Sequence, residues 1–354
     1  MDLKIATFNV EWMVSVFNGR WADWTTDVGI PNSFAGRNLG AIRLEPIGNV
    51  PELCERIAGT IKDLNAQIIG IQEGPPLKSQ MEFFVQNHLN NEYVVFTSNS
   101  RWQTIHALVH NSIAGNVTAQ DPDSDEVKAH WNDIGFYPWG EIEEEFRRAH
   151  SFYRRPLMLT YKHSTNTSLE ILVFHTKSKF SSLDLEGWLE RDPDAMADAL
   201  LARQKLSAEI YRMRRYIEKT IQVDNQNLII LGDLNDGPLA TEFEEEFLIH
   251  NILDELVGSI LRPKLVMTHA LTPQQIAESW SAEFHNPLKG NELTQELIDH
   301  IVLSPAIKEG FGGFKLVANS GKVEVDTFNA YKEGALREKR PSDHRPVSAV
   351  IEVL

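Results

Sequence analysis

Short runs rich in Val, Ile and Phe recur along the whole chain, each closed by turn-forming or polar residues. They cover Leu3–Val10, Gln67–Gln72, Ile105–His110, Leu157–Tyr161, Leu169–His175, Asn227–Leu231, Leu297–Leu303 and Val347–Val353. Such runs read as sheet strands. Leu53, Ile57, Ile61 and Leu64 recur at helical spacing behind Pro51, which suits a first-turn position. A longer stretch from Asp194 to Ile221 carries Leu206, Ile210, Met213, Ile217 and Ile221 on one face. Both predict packing helices. Some helices alternate with strands and others do not, so the pattern predicts mixed sheets in a two-layered core flanked by helices. No internal repeat, low-complexity linker or composition shift marks a boundary. The 354 residues read as one domain, 1–354, with insertions at about 12–49, 121–150 and 177–193. Each insertion adjoins a strand end with a polar candidate, where cleft-lining loops are expected.

Composition narrows the class. No apolar run is long enough to span a membrane, and the strand pattern starts at Leu3, which leaves no room for a signal peptide. The single cysteine, Cys54, excludes an internal disulfide framework and a cysteine metal cage, and suits a packing position on a helix. These features predict a cytoplasmic protein. A formal charge of −16 argues against holding nucleic acid by broad attraction. It leaves a nuclease open, because bound divalent cations supply a local positive field where a phosphate sits.

The strand ends carry the chemistry. In the segment Leu231 to Pro238, Asp233 and Asn235 are two apart and on extended chain share a side. A carboxylate beside a carboxamide suits the handling of a water and a polarised oxygen, although the same residues make ordinary turns. Asn9 and Glu11 are likewise two apart. The apolar run Ile68 to Ile71 leads into Gln72 and Glu73. A carboxylate there is costly to bury unless paired or metal-bound, which makes Glu73 a ligand candidate if it is not exposed in the loop before Pro75. The strand ending at His175 runs on into Thr176, Lys177, Ser178 and Lys179. A histidine titrates near neutral pH, and lysines suit phosphate oxygens; the bland reading is a structural histidine and a solvated loop. Asp299 sits inside a strand pattern, and Ser342, Asp343, His344, Arg345 and Pro346 precede the last one. On extended chain Asp343 and His344 point apart, one to a metal and the other to substrate or a partner carboxylate, unless each makes a loop salt bridge. An oxygen-rich set with few nitrogens favours Mg²⁺ or Mn²⁺ over a structural zinc site.

In order, Asn9, Glu73, His175, the Gly232-Asp233-Leu234-Asn235 segment, Asp299 and the Ser342-Asp343-His344 segment resemble the endonuclease/exonuclease/phosphatase superfamily, the deoxyribonuclease I-like fold. No single motif is diagnostic; the ordered combination from Asn9 to His344 is. The resemblance implies a four-layered α/β sandwich, two packed mixed β-sheets flanked by helices, with the site at one end of the sheets. It implies that Asn9 and Glu73 bind metal with Asp343 as a further ligand, and that Asp233 activates or orients the attacking water. Asn235 then positions the scissile phosphate, Asp299 orients a catalytic histidine, and His344 and His175 flank the phosphate. Phe152, Tyr153, Arg154, Arg155 and Pro156 resemble the family's arginine-containing lead-in to a central strand. Arg154 is the expected phosphate contact, joined by Lys177; Arg155 is the alternative, and both arginines have the acidic run Glu143 to Glu145 as possible partners.

The run His175 to Lys179 most resembles bacterial metal-dependent nucleases of that superfamily. Ile298-Asp299-His300-Ile301 departs from the Trp and Asp-Arg of inositol polyphosphate phosphatases. Thr176 departs from the Gln of neutral sphingomyelinases, and abasic-site endonucleases lack a histidine at the position of His175. The resemblance therefore implies a DNA-directed phosphodiesterase, and no obligate protein partner is inferable from it. The alternatives are a phosphomonoesterase or phospholipid phosphodiesterase of inositol phosphate or sphingomyelin type, and an inactive interaction module on the same fold. Trp12, Trp21 and Trp24 suit an apolar pocket, base stacking or simple packing of the insertion. Asp121, Asp123, Asp125 and Glu126 suit a Ca²⁺ loop or a solvated turn; the glycine and terminal acid of an EF-hand are missing.

Overall fold

A computed structural model of the chain describes residues 2–19, 23–39, 42–132, 134–137, 143–179, 185–224, 226–238, 244, 250–286 and 292–354. One sheet has the strand order Phe314–Leu316, Val347–Val353, Asp2–Asn9, Ile68–Gly74, Thr104–His110, Tyr93–Thr97, with Lys322–Val323 also on Val347–Val353. The other runs Thr268–His269, Asp299–Leu303, Asn227–Asp233, Thr167–His175, Leu157–Ser164, Val117–Ala119. The sequence reading finds the long strands and omits the edge strand Tyr93–Thr97, which is paired on one side only.

The two-residue period of each strand explains the layers. Leu3 and Ile5, Ile171 and Val173, and Ile229 and Leu231 share one cluster between the sheets. Ala6 and Phe8, on the opposite face, pack with Leu53, Ile57 and Ile61 of the helix Val50–Leu64. Leu172, Phe174, Leu228 and Ile230 pack with Leu206, Ile210, Met213 and Ile217 of the helix Pro193–Asp224. Three apolar layers thus separate helix, sheet, sheet and helix, the four-layered α/β sandwich expected. Gly70 lets the sheets approach: a Cβ there would lie 2.3 Å from Leu231 Cδ1 and 2.7 Å from Val173 Cγ1. The helix Val50–Leu64 starts as its sequence predicts, with Asn49 Oδ1 accepting the Glu52 N–H at 3.1 Å and Pro51 in the first turn.

Topology sets the position of the polar ends. The central pair of each sheet is parallel, Asp2–Asn9 beside Ile68–Gly74 and Thr167–His175 beside Asn227–Asp233. Parallel neighbours need a crossover, supplied by the helices Val50–Leu64 and Pro193–Asp224. Both strands of each pair therefore finish on the same edge of their sheet. The antiparallel neighbours Val347–Val353 and Asp299–Leu303 begin at that edge.

Each insertion brings material to this edge. The first holds Trp12, a short 3-10 helix Met13–Phe17 and the ladder Arg37–Leu39 with Ile42–Leu44. Trp24 is buried and packs edge-on against Phe17 and Phe83, so it is a packing residue; Trp21 lies outside the described residues. The second insertion holds the helix Asp125–Trp131 and the ladder Ile134–Phe136 with Arg148–His150. Its acidic segment is a turn and helix start: Asp121 Oδ1 accepts the Asp123 N–H, Ser124 caps the helix, and Asp123 pairs with Arg155 at 3.0 Å. The third contributes Lys177 and the helix Leu185–Leu189. Among the described residues no helix is long and apolar enough to cross a membrane.

Candidate active site

Following the inter-sheet face of each strand outward in steps of two leads to the site. Leu3, Ile5 and Thr7 lead to Asn9; Leu169, Ile171 and Val173 to His175; Ile229 and Leu231 to Asp233; Leu303 and Ile301, read backwards, to Asp299. None of the four end residues is more than 4% exposed. Asn9 Nδ2 donates to Asp233 Oδ2 at 2.9 Å, joining the edges of the two sheets. His175 Nε2 lies 3.5 Å from the same oxygen.

Glu73 arrives by another route. Its parity groups it with Ile69 and Ile71, which pack against the helices. A positive φ of 55° and a register shift between Ile71 and Gly74 turn it toward the site. There Oε2 accepts the Trp12 N–H at 2.8 Å, and Oε1 accepts Asn9 Nδ2 at 3.3 Å and lies 3.8 Å from His175 Nε2.

Asp233 and Asn235 are both near the chemistry, but not as neighbours on one strand face. The strand ends at Asp233, Asn235 has φ 53°, and its N–H donates back to Asp233 Oδ1 at 2.7 Å. This is an Asx-type turn, so the turn reading and the functional reading hold together. Asn235 Nδ2 donates to the Thr176 carbonyl at 3.0 Å. Asp236 faces the other way, buried against Lys179 at 3.1 Å and Arg203 at 2.9 Å. Lys179 also pairs with Glu296, so it anchors the turn and is not offered to a phosphate.

Across the site, His344 Nδ1 lies 2.7 Å from Asp299 Oδ2. The His344 N–H donates to Ser342 Oγ at 3.0 Å, and that hydroxyl donates to the Asn9 carbonyl at 2.7 Å. Burial works against a charge on His344, but Asp299 and Asp343 outweigh it and hold the ring well above the usual histidine range. His175 goes the opposite way: burial first, then Arg154 and His344, hold it well below that range. The site thus pushes one histidine toward its charged form and the other toward its neutral form. Burial pushes the Asp233 carboxyl up to about 7, with His344 opposing and Asp299 adding to the rise.

A cleft of 540 Å³ opens beside these residues, lined by Trp12, Glu73, Arg154, His175, Lys177 and Asn235 among others. A second of 670 Å³ shares Trp12 and reaches Asp343, Glu11, Arg337 and Arg340. A smaller one of 210 Å³, lined by Asn235, Asp343 and His344, adjoins both. Arg154 is fixed in the cleft wall by donating from Nε to the His175 carbonyl at 3.1 Å, with further hydrogen bonds to Gln103 Oε1 and the Thr176 carbonyl. Arg155 turns away to the Pro122 carbonyl and Asp123. Among the described residues neither arginine pairs with the acidic run Glu143 to Glu145; Glu144 instead meets Arg147 and Tyr137. Burial and Arg154 push the Lys177 ammonium down to about 8.

The donor set fits a hard divalent cation. Burial raises the Glu73 carboxyl, and Asp343 is the largest electrostatic contributor to the same rise. Glu11, pushed up to about 7 by burial, has Arg340 at 2.9 Å and Arg337 at 3.4 Å. That leaves Glu73 and Asp343 as the carboxylates that a cation would relieve. Asn9, an expected ligand, stands beside them: Nδ2 braces Glu73 and Asp233, while Oδ1 accepts the Glu11 N–H at 3.0 Å. Asp233, Asp299 and His344 also bring ligand atoms within 4.8 Å of one another. Because His344 is held charged by Asp299, that trio suits proton handling better than metal binding. Gln103, His150 and Glu209 line the cleft without any signal in the sequence to single them out.

No protein-family model matches the sequence, and no curated protein matches it. Among solved structures, a mannosyl-6-phosphatase of Bacteroides thetaiotaomicron aligns over 99% of both chains with a TM-score of 0.51 and 12% identity. An endonuclease/exonuclease/phosphatase from Bacteroides vulgatus aligns over 100% of both chains with a TM-score of 0.48 and 13% identity. Truncated TDP2 of Caenorhabditis elegans aligns over 99% of this chain and 98% of its own, with a TM-score of 0.48 and 12% identity. What is shared at such identities is the fold. The chain has the deoxyribonuclease I-like fold.

Proposed function

We propose that this protein is a metal-dependent phosphodiesterase that cleaves DNA by in-line attack of an activated water. The observation that carries the reading is the convergence of Asn9, Glu73, His175, Asp233, Asp299 and His344 on one edge of two packed sheets, beside a cleft lined by Arg154 and Lys177. A Mg²⁺ or Mn²⁺ held by Glu73 and Asp343 beside Asn9 would polarise a phosphoryl oxygen and offset its charge.

The remaining work falls to the chain itself. Asp233 is the base: burial makes its carboxylate a better proton acceptor than an ordinary aspartate, and Asn9 and the Asn235 backbone hold it in place. His344, kept charged by Asp299, donates to the oxygen on which charge develops or protonates the leaving oxygen. Neutral His175 borders the phosphate from the other side. Asn235 keeps one amide N–H beyond its bond to Thr176 for a phosphate oxygen. Arg154 and Lys177 supply positive charge in the cleft wall. We read the chain as one domain, 1–354, acting in the cytoplasm, which suits its lone buried Cys54.

The test is purified protein with Mg²⁺ or Mn²⁺ against supercoiled plasmid, linear single- and double-stranded DNA, RNA, inositol phosphates and sphingomyelin. Parallel reactions contain chelator or the Glu73→Ala variant. Nicking that both controls abolish is the expected result. Phosphate release from a monoester with DNA left intact would replace this reading by a phosphomonoesterase, the activity named for the mannosyl-6-phosphatase of like fold.

A further inference from the structure

On the wall of the 540 Å³ cleft stands a histidine–carboxylate pair that the chemistry above does not use. His150 ends the strand Arg148–His150, and its Nε2 lies 2.8 Å from Glu209 Oε1. Glu209, 3% exposed on the helix Pro193–Asp224, accepts the Lys177 N–H on its other oxygen at 2.8 Å. Both carboxylate oxygens are therefore engaged within the wall. The ring of His150 is fixed through Nε2 and lines the cleft.

Lys205, one helical turn before Glu209, lines the same cleft and has no ion-pair partner among the described residues. Lys177 and Arg154 complete the wall. A chain of net charge −16 thus gathers three cationic side chains and an oriented histidine beside Glu73, His175 and Asn235. Ammonium and guanidinium donors at one wall match the several acceptor oxygens of a phosphate. Glu209 fixes the imidazole and the Lys177 backbone, so its charge serves positioning and is not aimed at the anion.

We propose that Lys205, beside the His150 ring that Glu209 holds, forms a second anion subsite that takes a phosphate next to the one being cleaved. The inference rests on the phosphodiesterase reading and deepens it by assigning side chains of this chain to the phosphate that flanks the one being cleaved.

The test compares two substrates under Mg²⁺: bis(4-nitrophenyl) phosphate, which has one phosphate, and a 5′-phosphorylated dinucleotide, which has two. Lys205→Ala, at a half-buried helix position, raises KM for the dinucleotide about tenfold with kcat retained, as the loss of one charge-assisted hydrogen bond predicts. His150→Gln and Glu209→Gln shift KM in the same direction by less. Turnover of bis(4-nitrophenyl) phosphate stays within about twofold of wild type. Equal losses on both substrates, or no loss on either, overturn the subsite. If the wild-type protein cleaves neither diester, the plasmid assay above decides the phosphodiesterase reading and binding decides the subsite alone. Calorimetry with pyrophosphate must then show about tenfold weaker binding to Lys205→Ala; equal binding overturns it.

Discussion

Asp299→Asn changes one charge and almost no shape. The side chain is fully buried, its Oδ2 lies 2.7 Å from His344 Nδ1, its Oδ1 has no hydrogen-bond partner among the described residues, and its N–H is held by Ser281 Oγ at 2.9 Å. Burial disfavours a charged His344 ring, and Asp299 is the foremost group that outweighs it. With the carboxylate neutralised, the ring loses its proton more readily and no longer donates from both nitrogens. General acid catalysis contributes about 10²–10⁴ in rate, or about 2.7–5.4 kcal/mol at 1.36 kcal/mol per tenfold. Stability changes by no more than about 1–2 kcal/mol, because the amide oxygen still accepts from Nδ1–H. The assay is Mg²⁺-dependent nicking of supercoiled plasmid at saturating DNA, with urea unfolding alongside. We expect kcat to fall by about 10²–10⁴ while the urea midpoint moves little. In a His344→Ala background the same change should cost little more, since the two residues act as a unit. A folded Asp299→Asn variant with kcat within about threefold of wild type, or losses that multiply in the double variant, refutes the reasoning.

Glu73→Ala and Asp233→Ala should each lower turnover by about 10²–10³ or more. Chelator should abolish wild-type activity and added Mg²⁺ restore it, but not in Glu73→Ala; activity that survives chelation removes the metal from the reading. Gly70→Ala drives a Cβ into Leu231 and Val173, and should destabilise the fold by about 1–3 kcal/mol in urea; an unchanged midpoint contradicts the close approach of the sheets. Asp236→Ala leaves Lys179 and Arg203 short of a buried partner and should cost about 3–5 kcal/mol in the same measurement. His106 is buried, bonded to the Pro75 carbonyl and Thr97, and burial pushes it from 6.5 down to about 4. The unfolded chain binds the proton first, so this contribution to stability is complete above pH 6.5 and is lost as pH falls toward 4, by about 3 kcal/mol in all. His106→Gln should flatten that part of the stability–pH curve; an identical slope in both proteins shows that His106 does not set it.

The alternation of apolar residues made the layers and much of the site legible. Asn9, His175, Asp233 and Asp299 each continue the inter-sheet face of an apolar strand, so the same period that predicts the core also predicts where its polar ends meet. Glu73 was legible on different grounds. Its parity assigns it to the helix-facing side, and only the cost of burying a carboxylate marked it; the positive φ that turns it inward leaves no signature in the residue itself. The choice between Arg154 and Arg155 was open because adjacent residues alternate sides, and only the cleft distinguishes them.

What the sequence withheld are pairings between distant polar residues. Glu209 and Arg203 lie on the long helix among charges that a helical pattern assigns to solvent, yet one holds His150 fifty-nine positions away and the other holds Asp236. The turn from Asp233 to Asp236 gathers both kinds of information. Asp233 faces the site, Asn235 bends the chain, and Asp236 ties the bend to Lys179 and Arg203 beneath it. The chemistry and the anchor share one segment, so a substitution at Asp236 should disturb the site by loosening the turn, whereas one at Asp233 should silence it with the turn's anchor intact. Comparing urea midpoint and turnover across the two positions separates those roles, and equal patterns at both would show that the segment is a turn and nothing more.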